Sequence, residues 1–506
     1  MSKQSSKTKT LVQNTILLYI RMIVTMLIAL YSSRIILKAL GIDDFGLYNV
    51  VGGVVALFSF LRTSMTSATQ RFLAFELGKE DRSQLKRMFS MCMTTHLLIA
   101  FVILFLCETV GLWFLNAKIN IPEGREVAAN WIYQFSTLTL CLGMITVPYN
   151  ACVIARERMG IYAYISILEA LLKLGIAFAL TFVFQYDRLI IYGGLLLVST
   201  VLVFVLYWAI CKRKFPETAY QFFFDKELFK QIFGFSGWTL FGQMALMAAN
   251  HGTTILVNMF YSVAANAAMG VAQQVNHAVS GLVANFQTAY QPQITKSYSS
   301  GDFPYLNRLL YNASKVSYFL MFVVSLPIIY NIDFLLELWL GDVPEFSSQF
   351  TIFFMIASMM NVIGGPLWMS VFATGKIRNY QIVVSFVFLA DLVIVYVLYK
   401  IGLPVVSGVI VKAFINFLVV FVRMFFAKQQ LEMFSTTSFL KKVLLPIALS
   451  TVIVIVLTYP IISMTRGSMA QIMATLWTIT VSLVIAFYIG LSASERKAIL
   501  SLLIKS

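Results

Sequence analysis

Long apolar stretches alternate with short polar segments along the whole chain. Stretches of about 18 or more apolar residues are typical of membrane-spanning helices, since a helix needs about 20 residues to cross the hydrocarbon core. The pattern predicts fourteen such helices, which we number one to fourteen in chain order. The predicted spans are 12–39, 46–72, 88–115, 128–153, 160–184, 189–211, 233–260, 264–293, 311–338, 349–373, 379–400, 403–427, 442–463 and 469–491. The fold class is therefore predicted to be an all-α polytopic membrane protein.

A duplication organises these helices. Segments 41–81 and 262–302 share one plan, in which a short turn precedes a long apolar helix that becomes polar towards its end. Gapless alignment at one of two nearly equal offsets brings identical residues into register. Such matches include Gln70 with Gln291, Asp81 with Asp302, Arg87 with Arg308 and Tyr162 with Tyr380. We infer a duplicated unit that faces its twin.

The duplication predicts two pseudo-symmetric lobes of six helices each. An N-lobe covers 1–211, a cytoplasmic linker 212–231, and a C-lobe 232–427, while 428–506 hold a C-terminal helix pair and a short tail. Because six is an even number, both lobes enter the membrane from the same side. Loops on the side of the N-terminus hold about four times as many Lys and Arg residues as the opposite loops, which places both termini in the cytoplasm.

The composition agrees with a protein that lies mostly in lipid. It is 59% hydrophobic and 12% charged, whereas soluble domains carry about 25% charged residues. The net charge of +16 is spread among the loops, so nucleic acid is excluded as a partner. The five cysteines lack metal-ligand spacing, and we expect buried thiols and no metal site. The first apolar stretch is too long for a cleaved signal peptide and is expected to remain as helix one.

Three stretches carry a resemblance to a known family: SSRIILKALGIDDFGLYNVVGGVVALF, PYNACVIARERMGIYAYISILEALLKL and FGFSGWTLFGQ. They resemble the Wzx-type O-antigen and capsular polysaccharide flippases of the multidrug/oligosaccharidyl-lipid/polysaccharide (MOP) exporter superfamily. The likeness covers nearly the whole chain. It implies a MATE/MurJ-like fold, a central cleft lined mainly by helices one, two, seven and eight, and alternating access to the two membrane faces.

The same resemblance implies a cargo and a setting. The cargo would be an oligosaccharide on an undecaprenyl diphosphate carrier, moved from the cytoplasmic to the periplasmic leaflet of the bacterial inner membrane. The product would feed O-antigen, lipopolysaccharide, capsule or exopolysaccharide assembly. Implied partners are membrane lipids and the polymerase and chain-length proteins of the same pathway. No cofactor is implied, and the activity is transport without covalent catalysis.

Four arginines of the first helix pair are candidates for binding the diphosphate: Arg21, Arg34, Arg62 and Arg71. A charge at a helix centre costs about 2.5–3.5 kcal/mol on insertion scales and therefore needs a reason. A guanidinium suits the task because its planar fork binds two phosphate oxygens at once. The alternatives are local pairing for Arg21 and Arg62, and snorkelling to the interfaces for Arg34 and Arg71.

Two further pairs of charged residues lie at mid-span. Glu169 and Lys173 are four residues apart on helix five, so they share one face, and we favour a structural ion pair. Asp391 in helix eleven occupies the repeat position of Lys173, and Lys412 in helix twelve lies at similar depth as its candidate partner. A mid-membrane carboxylate also suits coupling to H⁺ or Na⁺, so Asp391 is the candidate for a coupling ion.

Helix eight carries an unusually dense polar stripe, which predicts a face towards a watery cleft. Neutral amides there suit the hydroxyl groups of sugars, and helix two adds its own polar side chains. The alternative is hydrogen bonding between helices. The candidate glycan-binding residues are Gln70, Asn250, Gln273, Gln274, Asn276, Asn285, Gln287 and Gln291.

Two other functions were weighed against the flippase. A membrane glycan polymerase or acyltransferase needs a large loop or a reactive cluster of His, Asp and Glu, and none of the three histidines lies among acids. A Gly-x4-Gly-Lys-Ser/Thr loop for ATP is also missing from the sequence. A cation-coupled multidrug exporter of the same superfamily would favour acids and aromatics where this chain offers arginines, so an anionic cargo is favoured.

Overall fold

The computed structural model describes residues 3–56, 58–118, 121, 123–182, 187–464, 468–492 and 495–496. Within these residues helices are the only regular elements, which confirms the predicted all-α fold. Twelve helices in the described ranges are long and apolar enough to cross a membrane. Helices two and eight are present but fall outside that set, because helix two is interrupted and both carry polar stripes.

The first six helices follow the predicted order. Their bounds are Lys3–Leu40; Ile42–Ala56 with Ser59–Lys79; Arg82–Leu106 with Leu112–Lys118; Glu126–Ala155; Met159–Thr181; and Arg188–Lys214. A π-helical turn, Cys107–Gly111, joins the two parts of helix three. The hydroxyl of Tyr133 on helix four donates a hydrogen bond to the Cys107 carbonyl at 2.8 Å, which satisfies a backbone acceptor in that turn.

The other eight helices also match the prediction in order and place. Their bounds are Lys226–Phe260; Val263–Ser299; Phe303–Tyr330 with Ile332–Leu340; Ser347–Ile363 with Gly365–Thr374; Arg378–Lys400; Ser407–Gln430; Thr436–Phe439 with Leu445–Met464; and Ser468–Ile485. The chain forms two compact units, Met1–Leu240 and Phe241–Ser506. Helix seven begins in the first unit and ends in the second.

The duplicated positions Asp81 and Asp302 play the same local role. Each is the N-cap of the following helix, where its carboxylate accepts hydrogen bonds from backbone N–H groups of the first turn. The Asp81 carboxylate lies 2.9 Å from the amide nitrogen of Ser83, and that of Asp302 lies 3.3 Å from the amide nitrogen of Tyr305. These caps satisfy donors that a helix leaves open at its start.

Helix four lies at the centre of the first unit. Of its spanning window, 72% is buried, and it packs against helices two, three and six. Helix one packs chiefly against helix five. One core cluster between these outer helices includes Ile36, Ala177, Leu180 and Tyr192. The cleft-lining role predicted for helices one and two therefore requires that their remaining faces stay open.

An ionic clamp ties together the starts of helices two, four and six. Arg125 contacts Asp44 and Asp187, with N–O distances of 2.5 Å to each. Burial alone would lower the pKa of Arg125, but hydrogen bonds and the charges of both carboxylates outweigh it and raise that pKa. The guanidinium therefore stays charged and holds three helix ends at one point.

Helix ten lies at the centre of the second unit, with 67% of its spanning window buried. It packs against helices eight, nine and twelve. The C-terminal pair docks on helix nine through polar contacts. Tyr318 and Thr451 share a hydrogen bond of 2.7 Å, and Lys315 and Glu495 form a buried ion pair of 2.5 Å. The extra helices are thus an integral part of this unit.

Candidate functional site

Arg21 is held by helix five. Its Nη1 donates a hydrogen bond to the Tyr162 hydroxyl oxygen at 2.8 Å, and its guanidinium carbon lies 4.7 Å from the centre of the same ring. The side chain is partly exposed. One tyrosine therefore fixes the guanidinium both by a hydrogen bond and by a cation–π contact.

Arg62 is exposed on helix two. Its guanidinium lies against Gly143 of helix four, where a Cβ atom would stand 3.1 Å from Nη1. The described residues supply neither an acidic partner nor a side-chain hydrogen bond to this guanidinium. Because it is exposed and has no acidic partner among the described residues, this cation can bind an external anion without first breaking an ion pair.

Arg71 and Arg34 have opposite surroundings. Arg71 is 9% exposed, and its guanidinium carbon lies 4.7, 4.6 and 5.7 Å from the ring centres of Phe72, Phe75 and Phe235. Arg34 is exposed near the C-terminal end of helix one. Arg71 is thus enclosed by rings of the first unit, whereas Arg34 is available at the surface.

The polar residues of helix two serve packing as well as exposure. The Ser64 hydroxyl donates to the Ser236 carbonyl at 2.6 Å in a buried contact, which ties helix two to the start of helix seven. Thr66 donates to the Arg62 carbonyl within its own helix at 2.7 Å. Gln70 is partly exposed and remains accessible on this unit.

Glu169 and Lys173 form an ion pair of 2.7 Å within helix five. Their side chains are 42% and 51% exposed, respectively, so the pair lies at the surface of the first unit. Exposed pairs at this spacing contribute about 0.3–0.5 kcal/mol in water.

Asp391 and Lys412 are not joined by an ion pair in the described residues. Lys412 Nζ instead donates to Asn250 Oδ1 at 2.7 Å, which links helix twelve to helix seven. Asp391 is 2% exposed, and its Oδ1 has no hydrogen-bond partner. Asn250, a candidate glycan ligand, is thus engaged by a lysine in this structure.

The amides of helix eight divide into two groups. Asn276 accepts a hydrogen bond from the Ser358 hydroxyl at 2.8 Å, and Asn285 donates to the Gly281 carbonyl at 2.8 Å. Gln287 packs so closely on Gly365 that a Cβ there would meet its Nε2 at 2.4 Å. In the second group, Gln274 is exposed and Gln273 and Gln291 are partly exposed, and no side-chain hydrogen bond to these three amides occurs among the described residues.

Sequence reasoning did not single out Tyr162 or Gly143 as site residues. Tyr162 had a signal, its match to Tyr380, but Tyr380 packs with Phe372 and Phe426 instead of an arginine. Gly143 had none, because its role depends on which helix face meets Arg62. The five cysteines are buried and free, as predicted, and the described residues contain no group of three potential metal ligands.

Comparison with known proteins gives the chain a family and a fold. The family model described as "Polysaccharide biosynthesis protein" matches residues 11–298. The uncharacterized membrane protein EpsK of Bacillus subtilis (strain 168) is 19% identical over 344 residues, which are 67% of this chain and 67% of EpsK.

Solved structures of MATE transporters are similar in fold at low identity. A MATE structure in the bent conformation has a TM-score of 0.70 at 15% identity, over 85% of this chain and 97% of that one. An outward-facing multidrug resistance MATE transporter of the MOP superfamily has a TM-score of 0.68 at 14% identity, over 85% and 96%. A MOP superfamily transporter from Pyrococcus furiosus, noted for the reverse polarity of its binding pocket, has a TM-score of 0.68 at 14% identity, over 84% and 95%.

Proposed function

Because the chain belongs to the polysaccharide biosynthesis protein family of the MOP exporter superfamily, we propose that it is a flippase for lipid-linked oligosaccharides. The cargo is an oligosaccharide on undecaprenyl diphosphate, which crosses from the cytoplasmic to the periplasmic leaflet by alternating access. The step moves a headgroup and makes or breaks no covalent bond. The multi-pass membrane character is given by its apolar helices.

The observation that carries this proposal is the exposed guanidinium of Arg62. Arg62 lies within the span 46–72 predicted for helix two, and a charge within a membrane span is costly unless it meets water, a partner or a ligand. The described residues provide no acidic partner for it, and its guanidinium packs on Gly143 of helix four, where the missing Cβ leaves room for it. An anionic headgroup is the ligand that such a cation selects, and the planar fork favours phosphate oxygens.

Arg21 supports the same assignment from a different helix. Its guanidinium is oriented by Tyr162, and in this proposal it adds a second positive charge for the diphosphate. Arg34 is an additional exposed cation for the approach of the headgroup. Arg71, enclosed by three phenylalanine rings, contributes positive charge at longer range in this proposal.

The sugars would contact the accessible amides. In the second unit we assign this role to Gln274, Gln273 and Gln291 of helix eight, and in the first unit, separately, to Gln70 of helix two, because each retains surface and its amide has no side-chain hydrogen bond among the described residues. Asn276, Asn285 and Gln287 would act behind them, since each is engaged with a neighbouring group. Neutral amides suit this task because sugar hydroxyls both donate and accept hydrogen bonds.

A multidrug exporter is the second candidate, because the similar solved structures are MATE transporters and the likeness concerns the fold. The two candidates differ in the charge that the first unit presents. Binding of a cationic drug requires uncompensated acids, whereas the mid-span acid Glu169 is paired with Lys173. Arg62 has no such pairing, which favours an anionic cargo.

The test is complementation of a strain that lacks the gene. Arg62→Ala and Arg21→Ala should abolish surface glycan while the protein stays inserted and abundant. Arg62→Lys should restore only part of the activity, because a point charge replaces a fork. Lys38→Ala, which removes an exposed cation at the end of helix one, is the matched control and should complement fully. Normal surface glycan with both arginine variants would refute the proposal.

A further inference from the structure

The second unit contains a buried carboxyl group without a full set of partners. Asp391 lies in helix eleven, is 2% exposed, and its Oδ1 makes no hydrogen bond to any residue that the structure describes. An ionised carboxylate in such a place lacks the solvation that would stabilise its charge. A neutral carboxylic acid needs far less solvation than a carboxylate, so the geometry favours a bound proton in this conformation.

The nearest cation is directed elsewhere. Lys412 on helix twelve donates to Asn250 Oδ1 on helix seven at 2.7 Å, and its Nζ lies 5.6 Å from the ring centre of Phe354. No nitrogen–oxygen distance within 4 Å forms an ion pair between Lys412 and Asp391 in the described part of the chain. Lys412 is thus stabilised by an amide oxygen and an aromatic ring, and it does not hydrogen-bond to Asp391 in this structure.

Helix seven approaches helix eleven closely at this level. A Cβ on Gly252 would lie 2.5 Å from a methyl carbon of Leu392, the neighbour of Asp391. Asn250 is two residues from that glycine. The hydrogen bond between Lys412 and Asn250 thus lies where helices seven, eleven and twelve meet, and a change of partner by Lys412 would release helix seven from it.

We propose that Asp391 is a proton-binding site and that Lys412 exchanges Asn250 for Asp391 when the proton leaves. The proton passes to water, and the ammonium group moves to the carboxylate without any covalent change. Helix seven then loses its hydrogen bond to helix twelve. The claim that this exchange drives export rests on the proposed function. The claim that Asp391 binds a proton does not.

Other ionisable groups of the helices around Asp391 must be considered. Away from the helix ends, the ionisable side chains are Lys412 and Arg423 on helix twelve, His251 on helix seven, His277 and Tyr290 on helix eight, and Tyr396 and Tyr399 on helix eleven itself, while helix ten has none. Both histidines are exposed. A sodium ion would need several oxygen ligands beside a lysine that already supplies the positive charge, so a proton is the ligand that the site favours.

The experiment is infrared difference spectroscopy of the purified full chain in liposomes, without cargo, between mildly acidic and alkaline pH. The wild type should show a carboxylic-acid C=O band that disappears as the pH rises. Asp391→Asn should lack that band. Glu169→Gln, which removes a carboxyl group of comparable depth that is already paired with Lys173, is the matched control and should retain it. In Lys412→Met the band should persist to higher pH, because the competing cation is gone.

Three results would overturn the proton site: no such band in the wild type, an unchanged band in Asp391→Asn, or loss of the band on exchanging choline chloride for sodium chloride at constant pH and ionic strength. The last would identify a sodium site. The exchange of partners predicts that Asn250→Ala shifts disappearance of the band to lower pH, because Lys412 is released towards Asp391, and an unshifted band would contradict it. If the proton site holds but Asp391→Asn exports glycan normally, the drive is refuted and the flippase is not.

Discussion

The two units treat charged side chains inside their spans differently. In the first unit Arg62 is exposed against a glycine, and Glu169 and Lys173 pair on an accessible helix face. In the second unit Asp391 is 2% exposed, and Lys412 bonds an amide of another helix. Arg62 and the Glu169–Lys173 pair thus leave charge accessible on the first unit, whereas Asp391 and Lys412 lie between helices of the second.

This difference shows that matching positions of a duplicated sequence can take different roles in the two units. Positions with equal roles persist where they shape the backbone, as the caps Asp81 and Asp302 do. Lys173 and Asp391 occupy matching positions, yet one carries a paired positive charge at the surface and the other a buried carboxyl group. In our proposal the first unit binds the cargo headgroup and the second binds the proton that drives the cycle.

The largest stability effect should separate a buried pair from an exposed one. Lys315→Ala leaves Glu495 uncompensated in the second unit, where the side chains are 4% and 13% exposed, and should cost about 3–5 kcal/mol of unfolding free energy. Lys173→Ala in the first unit leaves an accessible carboxyl group that can take up a proton instead of staying charged, so it should cost less, about 0–1 kcal/mol. Unfolding of both variants in the same detergent measures the contrast, and equal losses would break the comparison.

A bulky residue at Gly143 should displace the Arg62 guanidinium. Gly143→Leu should lose about 1.5–3 kcal/mol of charge-assisted binding, or roughly ten- to a hundredfold in export rate. Gly143→Ala should lose much less, because a flexible side chain can yield a few tenths of an ångström. The rates are measured in the complemented deletion strain. Full activity of the leucine variant would show that the packing of Arg62 on Gly143 is unimportant.

The hydroxyl of Tyr162 should orient Arg21 for the diphosphate. Tyr162→Phe keeps the ring contact but removes one hydrogen bond, so we expect about 1 kcal/mol and roughly a fivefold weaker apparent affinity. The maximal rate should change little, because the transport path is intact. Kinetics with reconstituted protein and a lipid-linked oligosaccharide check this split. A loss confined to the maximal rate would contradict a positioning role.

The smallest effect should come from reversing the exposed pair. The double variant Glu169→Lys with Lys173→Glu keeps an ion pair at the same spacing, so its stability should change by less than about 0.5 kcal/mol. Thermal unfolding in detergent measures it. A large loss would mean that the pair has a specific partner, and the contrast between the units would fail at this point.

The fold could be predicted from the sequence because apolar length and the duplicated plan are local signals. The polar content of helices two and eight marks them in the sequence, and it also leaves them outside the set of twelve apolar spans. The contacts of the site are less predictable from the sequence than the fold. The ring enclosure of Arg71 depends on Phe235 from a distant part of the chain, and the bond between Lys412 and Asn250 depends on how two helices are rotated. Periodicity gives depth in a helix, but it does not identify the neighbour across the interface.

The central claim is that this chain moves an anionic, diphosphate-linked glycan across the membrane. The most direct measurement is mass spectrometry of the lipids that accumulate when the gene is deleted, combined with an assay of the leaflet in which they lie. We predict undecaprenyl diphosphate carrying a complete oligosaccharide unit, confined to the cytoplasmic leaflet, and restored to normal by wild type but not by Arg62→Ala. An unchanged lipid profile together with new sensitivity to cationic drugs would contradict the account.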